Sequence, residues 1–419
     1  MIHLTKKNLL VLSFLIIAIK GISQDTINSA TVEQKSYQLY IDKNWTELIQ
    51  FVGKAIDKGY DYYYLRLRIG IAYYERKNYS LAVGHFKNVL KFDSSDELAL
   101  EYIYYCYLNN GRYEDARLLS KQFNAALAEK LGTNKQGSVS VITVEGGTKK
   151  TDSTSYYDKV KRNSTNYFNP AIYFQLGLNH YVKNRVSLFH AITYFNQQTF
   201  ISKVGQFQYY VKANIPVKNN YLISSSIHWI NIKNTSEIIL PPPPRGMVPP
   251  KNIETIIKSN YFVGSLALQK IIKKFVFGIG TTITDMNGIS QYINCASLSY
   301  APFGNNKLVF GCTGYTHTSD NYSTTYRSFA PFLYIQPVNR VSLKLSYLYN
   351  TKHNIIEDNG YLVNNSADIT MARYSAMLNV NVNKHVGIYG LYQLEYKQEN
   401  VQLFNYRYNV IVVGIKITP

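Results

Sequence analysis

Gln206-Phe207-Gln208-Tyr209-Tyr210-Val211-Lys212-Ala213-Asn214-Ile215 is one strand with two unlike faces. Phe207, Tyr209, Val211, Ala213 and Ile215 fall on one side, and Gln206, Gln208, Tyr210, Lys212 and Asn214 on the other. Successive side chains of an extended chain point to opposite sides, so a period of two separates an oily surface from a wet one. The division recurs with Val341, Leu343, Leu345, Tyr347 and Tyr349 against Ser342, Lys344 and Ser346. It recurs again with Val386, Ile388, Tyr392, Leu394 and Tyr396 against Gly387, Gln393 and Glu395. Lipid outside and a polar lumen inside produce this pattern. Tyr408-Asn409-Val410-Ile411-Val412-Val413 departs from it, being apolar on both sides after Asn409. A narrow or partly filled barrel accommodates that run, and so does a soluble sheet sandwich.

From about Gly137 to the last residue, helical periodicity is absent. Candidate strands fall at 137–148, 167–181, 185–198, 202–215, 219–232, 259–272, 275–284, 289–300, 306–317, 326–336, 339–350, 367–380, 384–395 and 404–417. Most have the length that a tilted membrane-crossing strand needs. Their connections alternate. Short turns sit at Lys183-Asn184, Val217–Asn220, Lys273-Lys274, Ala301–Asn305, Pro337–Asn339 and Asn381–Asn383, while the opposite end carries the long loops 149–166, 233–258 and 351–366. Short turns on the periplasmic side and long loops outside are expected of outer-membrane barrels. An even strand count returns the C-terminus to the side where the first strand began. Loop 233–258 holds Pro241-Pro242-Pro243-Pro244, an extended segment that cannot continue a ladder. It suits an external arm, a recognition segment, a lumen plug folded back from outside, or a plain surface loop.

At the other end, Lys6 and Lys7 precede the apolar run Leu9–Ile19, and Gly21-Ile22-Ser23 offers a cleavage point. This reads as a signal peptide over 1–23, the alternative being a short membrane anchor. Loss of Lys6, Lys7 and Lys20 with the leader lowers the net charge from +19 to +16. In an exported barrel that excess points to lipid headgroups, lipopolysaccharide or an acidic polymer, and not to nucleic acid. The 39 Tyr residues suit both a membrane boundary and a wet barrel wall. Three cysteines are too few for a disulfide framework. Cys295 and Cys312 fall on successive candidate strands, either close enough to meet or simply small wall residues. Metal-binding spacing and nucleotide-binding motifs are absent, so no cofactor is expected.

Residues 24–133 form the second segment and 134–419 the third. In the second, Lys43-Asn44-Trp45, Lys77-Asn78-Tyr79 and Gly111-Arg112-Tyr113 recur at a spacing of 34. Leu48, Ala82 and Ala116 follow each aromatic; Leu39, Tyr73 and Tyr107 precede it. Ser36, Gly70 and Tyr104 occupy the close helix crossing, where Tyr104 is a poor match, and Val52, Phe86 and Ser120 the next inward position. The pattern resembles the tetratricopeptide repeat. The expected fold is therefore α + β: a short tetratricopeptide-type α-solenoid, then an antiparallel transmembrane β-barrel of about 14 strands. A chance set of amphipathic helices is the alternative for the first part.

Repeats followed by a terminal barrel resemble the YaiO-like outer-membrane barrel proteins, and in their order also the exopolysaccharide export porins, whose repeat arrays are much longer. The resemblance implies an outer-membrane address with the helices in the periplasm. In repeat arrays of this kind the concave face often binds proteins or peptides; Tyr62, Tyr63, Tyr64 and Arg68 are the candidate contacts, packing and solvent-facing roles being the alternative. Lys212, Lys344 and Arg373 are the candidate lumen cations for an anionic solute or polymer, with Glu395 opposing them; the alternative is that all four fill the lumen through ion pairs and hydrogen bonds, Glu395 in a buried pair. The expected role is non-enzymatic: partner recruitment by the repeats, with the barrel as anchor or restricted passage. Two alternatives stand beside it. One is a structural subunit of a secretion, motility or glycan-uptake complex. The other is a lipid-modifying enzyme built on Thr316-His317-Thr318-Ser319-Asp320, although His317 and Asp320 point to opposite sides of a continuing strand.

Overall fold

The computed structural model describes residues 28–151, 170–198, 202–239, 252–288, 290–319, 324–350, 354–365, 368–398 and 405–419. The leader, Pro241–Pro250 and Asp320 lie outside the described residues.

Among the described residues seven helices come first: α1 (Ser29–Ile41), α2 (Trp45–Asp57), α3 (Tyr63–Glu75), α4 (Tyr79–Phe92), α5 (Glu97–Asn109), α6 (Tyr113–Ser120) and α7 (Ala125–Lys130). The 34-residue spacing is visible in the backbone. Lys43, Lys77 and Gly111 each adopt a left-handed conformation, with φ of 54°, 57° and 66°, and reverse the chain inside a helix pair. Asn44 and Asn78 then cap α2 and α4 by accepting from the Glu47 and Leu81 amides. At Gly70 a β-carbon would sit 2.8 Å from the Phe86 ring, so the helices of the middle pair touch because that position is bare. In the third pair the small position is filled by Tyr104, which is buried and packs edge-on against Phe123 beyond α6. Two apolar clusters, one around Leu48 and Val52 and one around Phe86 and Ile103, share Tyr40 and Tyr73 at their boundary. No pair covers its own apolar face; the stack does.

The strands follow. They are β1 (Val139–Thr151), β2 (Ala171–Val182), β3 (Val186–Gln198), β4 (Ser202–Val217), β5 (Tyr221–Ile239), β6 (Asn252–Ile272), β7 (Phe275–Thr284) and β8 (Gln291–Tyr300). Then come β9 (Leu308–Ser319), β10 (Thr324–Val338), β11 (Val341–Tyr349), β12 (Asn354–Glu357), β13 (Leu362–Asn365), β14 (Ile369–Asn381), β15 (Val386–Gln398) and β16 (Asn405–Ile417). All but β12 and β13 form one closed antiparallel barrel of fourteen strands. The first strand meets the last in an unbroken ladder from Ile142–Ile417 to Thr151–Tyr408. Closure leaves no free edge and rules out the soluble sandwich.

Register carries the two faces from strand to strand. Tyr209 lies opposite Ile192 and Trp229, while Tyr210 lies opposite Ala191 and His228. The outward set is bare: Ile279 is 63% exposed, whereas inward Ile293 is 3% exposed. Outward Phe174, Phe207, Phe262, Phe310 and Ile411 belong to the same exposed apolar band. Phe275 stacks on Tyr300 near the short-turn end, and Tyr374 meets Tyr396 edge-on toward the other. An apolar belt closed on itself and bordered by aromatics is the architecture of an outer-membrane barrel, here preceded by helices. Val410 and Val412 turn out to face inward, Val412 beside Leu391 in the register. Cys295 faces the lumen and Cys312 the lipid, and both are free thiols, so the suggested meeting of the two does not occur.

Candidate functional site

The lumen is barred by β12 and β13, a hairpin that the strand count did not anticipate. Its turn is Asp358-Asn359-Gly360, with φ of 49°, 56° and 78°. Three consecutive left-handed residues are tolerable only in a sequence of this kind, because Asn, Asp and Gly carry the smallest penalty there. The hairpin leaves the wall between β11 and β14 and reaches β4, which stands seven places from β11 in the ring of fourteen. It therefore crosses the full width of the barrel.

The far side holds it firmly. Ser226 and Tyr210 donate to the Asn359 carbonyl at 2.5 and 3.3 Å, and His228 Nδ1 bonds the Gly360 carbonyl at 2.8 Å. Gln175 donates to the Tyr361 hydroxyl at 2.5 Å, and the Tyr361 ring packs edge-on against Tyr210 and Phe189. Ile356 and Val363 join an apolar cluster with Ile230, Val263, Met286 and Ile293. On the near side Arg373 pairs with Glu357 of the hairpin at 2.5 Å, both side chains about nine-tenths covered.

All four lumen candidates face inward. Lys212 stands 3.8 Å from Asp358 at the hairpin turn, and Lys344 lies over the Phe332 ring. Arg373 and Glu395 are directly opposed on β14 and β15. Glu395 takes its close partner from elsewhere, pairing with Lys149 at 2.7 Å. Sequence reasoning missed Lys149, Glu357 and Tyr361, as well as Glu145, which accepts from Tyr173, Tyr389 and Gln175. These residues lie on the first strand or in the hairpin, and nothing local says which of them meet.

The helical candidates divide. Arg68 is buried and bonds Glu33 and Ser36, so its donors are used inside the stack. Tyr62 donates to Glu33 and Tyr63 to Asp96. Tyr64 is 58% exposed.

The helices dock on the short-turn end of the barrel. The Ser80 amide donates to the Gly304 carbonyl, and Asn305 to the Lys77 carbonyl. Lys87 and Arg112 converge on Asn220, a left-handed turn residue. Arg117 reaches Asn184 and the Gly137 carbonyl and covers the Tyr181 ring at 3.9 Å. These contacts cover one side of the mouth. Beside them, under α5 and α6, a cavity of about 610 Å³ extends to the β10–β11 and β14–β15 turns.

His317 faces the lumen and bonds Gln291 at 2.9 Å. Among the described residues no group of His, Cys, Asp and Glu has metal-site geometry.

No family model matches this sequence, and no curated protein does. Solved structures are similar at low identity. A Pseudomonas aeruginosa FadL homologue is 10% identical over 67% of this chain and 90% of its own, with a TM-score of 0.42. The CymD monoaromatic hydrocarbon channel is 11% identical over 71% and 94%, at 0.43. The NanC porin is 10% identical over 66% and 100%, at 0.34. The architecture assigned above rests on the barrel's own closure and apolar belt.

Proposed function

We propose that this protein is a gated passage for an anionic solute across the outer membrane, closed at rest by the hairpin Asn354–Asn365. One observation carries the proposal: a polar lumen of fourteen strands is crossed by a segment tethered to the wall at both ends. A barrel that served only to fill a membrane disc could pack its core with wall side chains. Here much of the filling comes from a loop, which can be withdrawn without breaking a single rung of the barrel ladder. The cations Lys149, Lys212 and Arg373 line the path, each matched in the closed state by a carboxylate, two of them on the hairpin itself. Withdrawal of the hairpin takes its two carboxylates away from Lys212 and Arg373 together, and leaves a wall that favours anions. The helices lie in the periplasm, shielding part of the inner mouth and offering a platform for a periplasmic protein, with Tyr64 among its exposed aromatics.

Planar-bilayer recording of the purified protein tests the passage. The wild-type barrel should be mostly silent. Replacement of 354–365 by a short Gly-Ser linker should give stable, anion-preferring conductance. The rival reading, a sealed anchor for an envelope complex, is favoured by the many fixings of the hairpin; it predicts silence from both proteins.

A further inference from the structure

The cavity beneath α5 and α6 has a composition unlike the lumen. Inside the barrel Lys149, Lys212 and Arg373 each face a carboxylate, and Lys344 lies over the Phe332 ring. In the cavity Arg340, Lys384 and Lys416 are exposed, and among the described residues no carboxylate pairs with them. Arg117 adds a fourth positive charge, held in place by Asn184, the Gly137 carbonyl and the Tyr181 ring. A single lining carboxylate, Glu114, opposes the four. Unpaired cations grouped in a concavity attract an anion, and a fixed one loses little entropy in binding it.

A second feature points beyond charge. Gln136 lines the same cavity and donates its amide to the Tyr104 hydroxyl at 2.9 Å. Its Oε1 atom is buried and has no hydrogen-bond partner. A buried acceptor left without a donor is costly, and a small shift of the amide toward the cavity lets a ligand hydroxyl satisfy it. Tyr113, 55% exposed at the rim, offers a ring face on which a flat, hydroxylated molecule can lie. The volume falls within the usual range for a small-molecule site.

We infer that this vestibule is a binding site for a small anion that also carries hydroxyl donors, of which an acidic sugar of one or two rings is the simplest. The inference deepens the passage reading by naming its solute class, but binding requires neither an open lumen nor a moving hairpin. Titration calorimetry on the full chain in detergent micelles tests it, with digalacturonate as the probe and a neutral galactose disaccharide and inorganic phosphate as comparators. Digalacturonate should bind saturably, with the neutral disaccharide and phosphate each weaker by about tenfold or more. Arg340→Ala with Lys384→Ala, both at exposed turns, should weaken digalacturonate by a similar factor in protein that retains its folded-barrel gel mobility. Gln136→Met should weaken digalacturonate while leaving phosphate unchanged. No saturable binding of digalacturonate, equal binding of the neutral sugar, or indifference to the double substitution would overturn the site. Equal binding of phosphate would overturn its hydroxyl half. Since the closed wild-type protein is used, a silent bilayer record and an empty calorimeter are separate failures.

Discussion

Glu357→Ala is the sharpest perturbation of the hairpin. The Arg373–Glu357 pair spans 2.5 Å, and its side chains are only 11% and 10% exposed. Removing one partner of a buried pair costs roughly 3–5 kcal/mol, chiefly because the other charge stays buried. Arg373 keeps Glu395 opposite it in the register, so the lower end applies. The loss is specific to the seated hairpin, because an outward-swung hairpin leaves Arg373 accessible to water whether or not Glu357 is present. At about 1.4 kcal/mol per decade, a loss of ~3 kcal/mol raises the displaced population about a hundredfold. Adding Ile356→Ala removes a side chain from the apolar cluster at the far wall, for a further ~2 kcal/mol or more. Single-channel recording reads both steps as frequency of opening. Brief openings should become common in Glu357→Ala and commoner still in the double variant, while gel mobility shows an intact barrel. A double variant as silent as the wild type would refute the claim that this pair latches a movable hairpin.

Gly360→Ala should act in the same direction. Its φ of 78° penalises any β-carbon, and that carbon would lie 3.1 Å from Val263. A cost of about 1–2 kcal/mol predicts roughly tenfold more openings in the same recording. Asn220→Ala removes the shared acceptor of Lys87 and Arg112 and strains a turn at φ 63°. Limited proteolysis should cut the helical segment faster while sparing the barrel. His85 stacks on Tyr73 and lies 3.3 Å from an Arg66 nitrogen, and burial pushes its imidazole down to about 4. The unfolded chain, titrating near 6.5, binds the proton first as pH falls. Stability of the helices is therefore complete above about 6.5 and falls by roughly 2–3 kcal/mol as pH drops toward 4. Thermal unfolding of the helical signal should show this slope, and His85→Gln should flatten it.

Fourteen wall strands were legible because lipid and lumen impose opposite demands on alternate residues, and Gln206–Ile215 obeys both. The turns were legible for a similar reason: Lys183-Asn184 and Val217–Asn220 interrupt apolar alternation with residues that accept a left-handed backbone. Val410 to Val413 depart from period two because that pattern assumes a wet interior, whereas Val412 faces Leu391 across the register in a barrel that is partly filled. The hairpin had a local signal too. Asp358-Asn359-Gly360 between Ile355-Ile356 and Leu362-Val363 is a reversal flanked by apolar pairs. Sequence reasoning placed a plug, if any, in the proline loop, because four prolines are more conspicuous than one Asn-Gly. No local signal could have given the hairpin's destination. Its partners Tyr210 and Ser226 lie more than a hundred residues earlier in the chain. Arg68 is ambiguous for another reason: an arginine among tyrosines reads equally as a docking contact or a packing residue, and its partner Glu33 sits on the neighbouring helix pair.

The hairpin is continuous with β11 on one side and β14 on the other, and this fixes the kinetics of any gate it forms. Release and recapture are unimolecular, so the closing rate is independent of how much protein the membrane holds. Nothing diffuses away, and a pore that has opened once can reseal as often as it is forced. A single protease nick within the segment would turn a two-ended latch into a one-ended flap, with a larger volume to search before it could return.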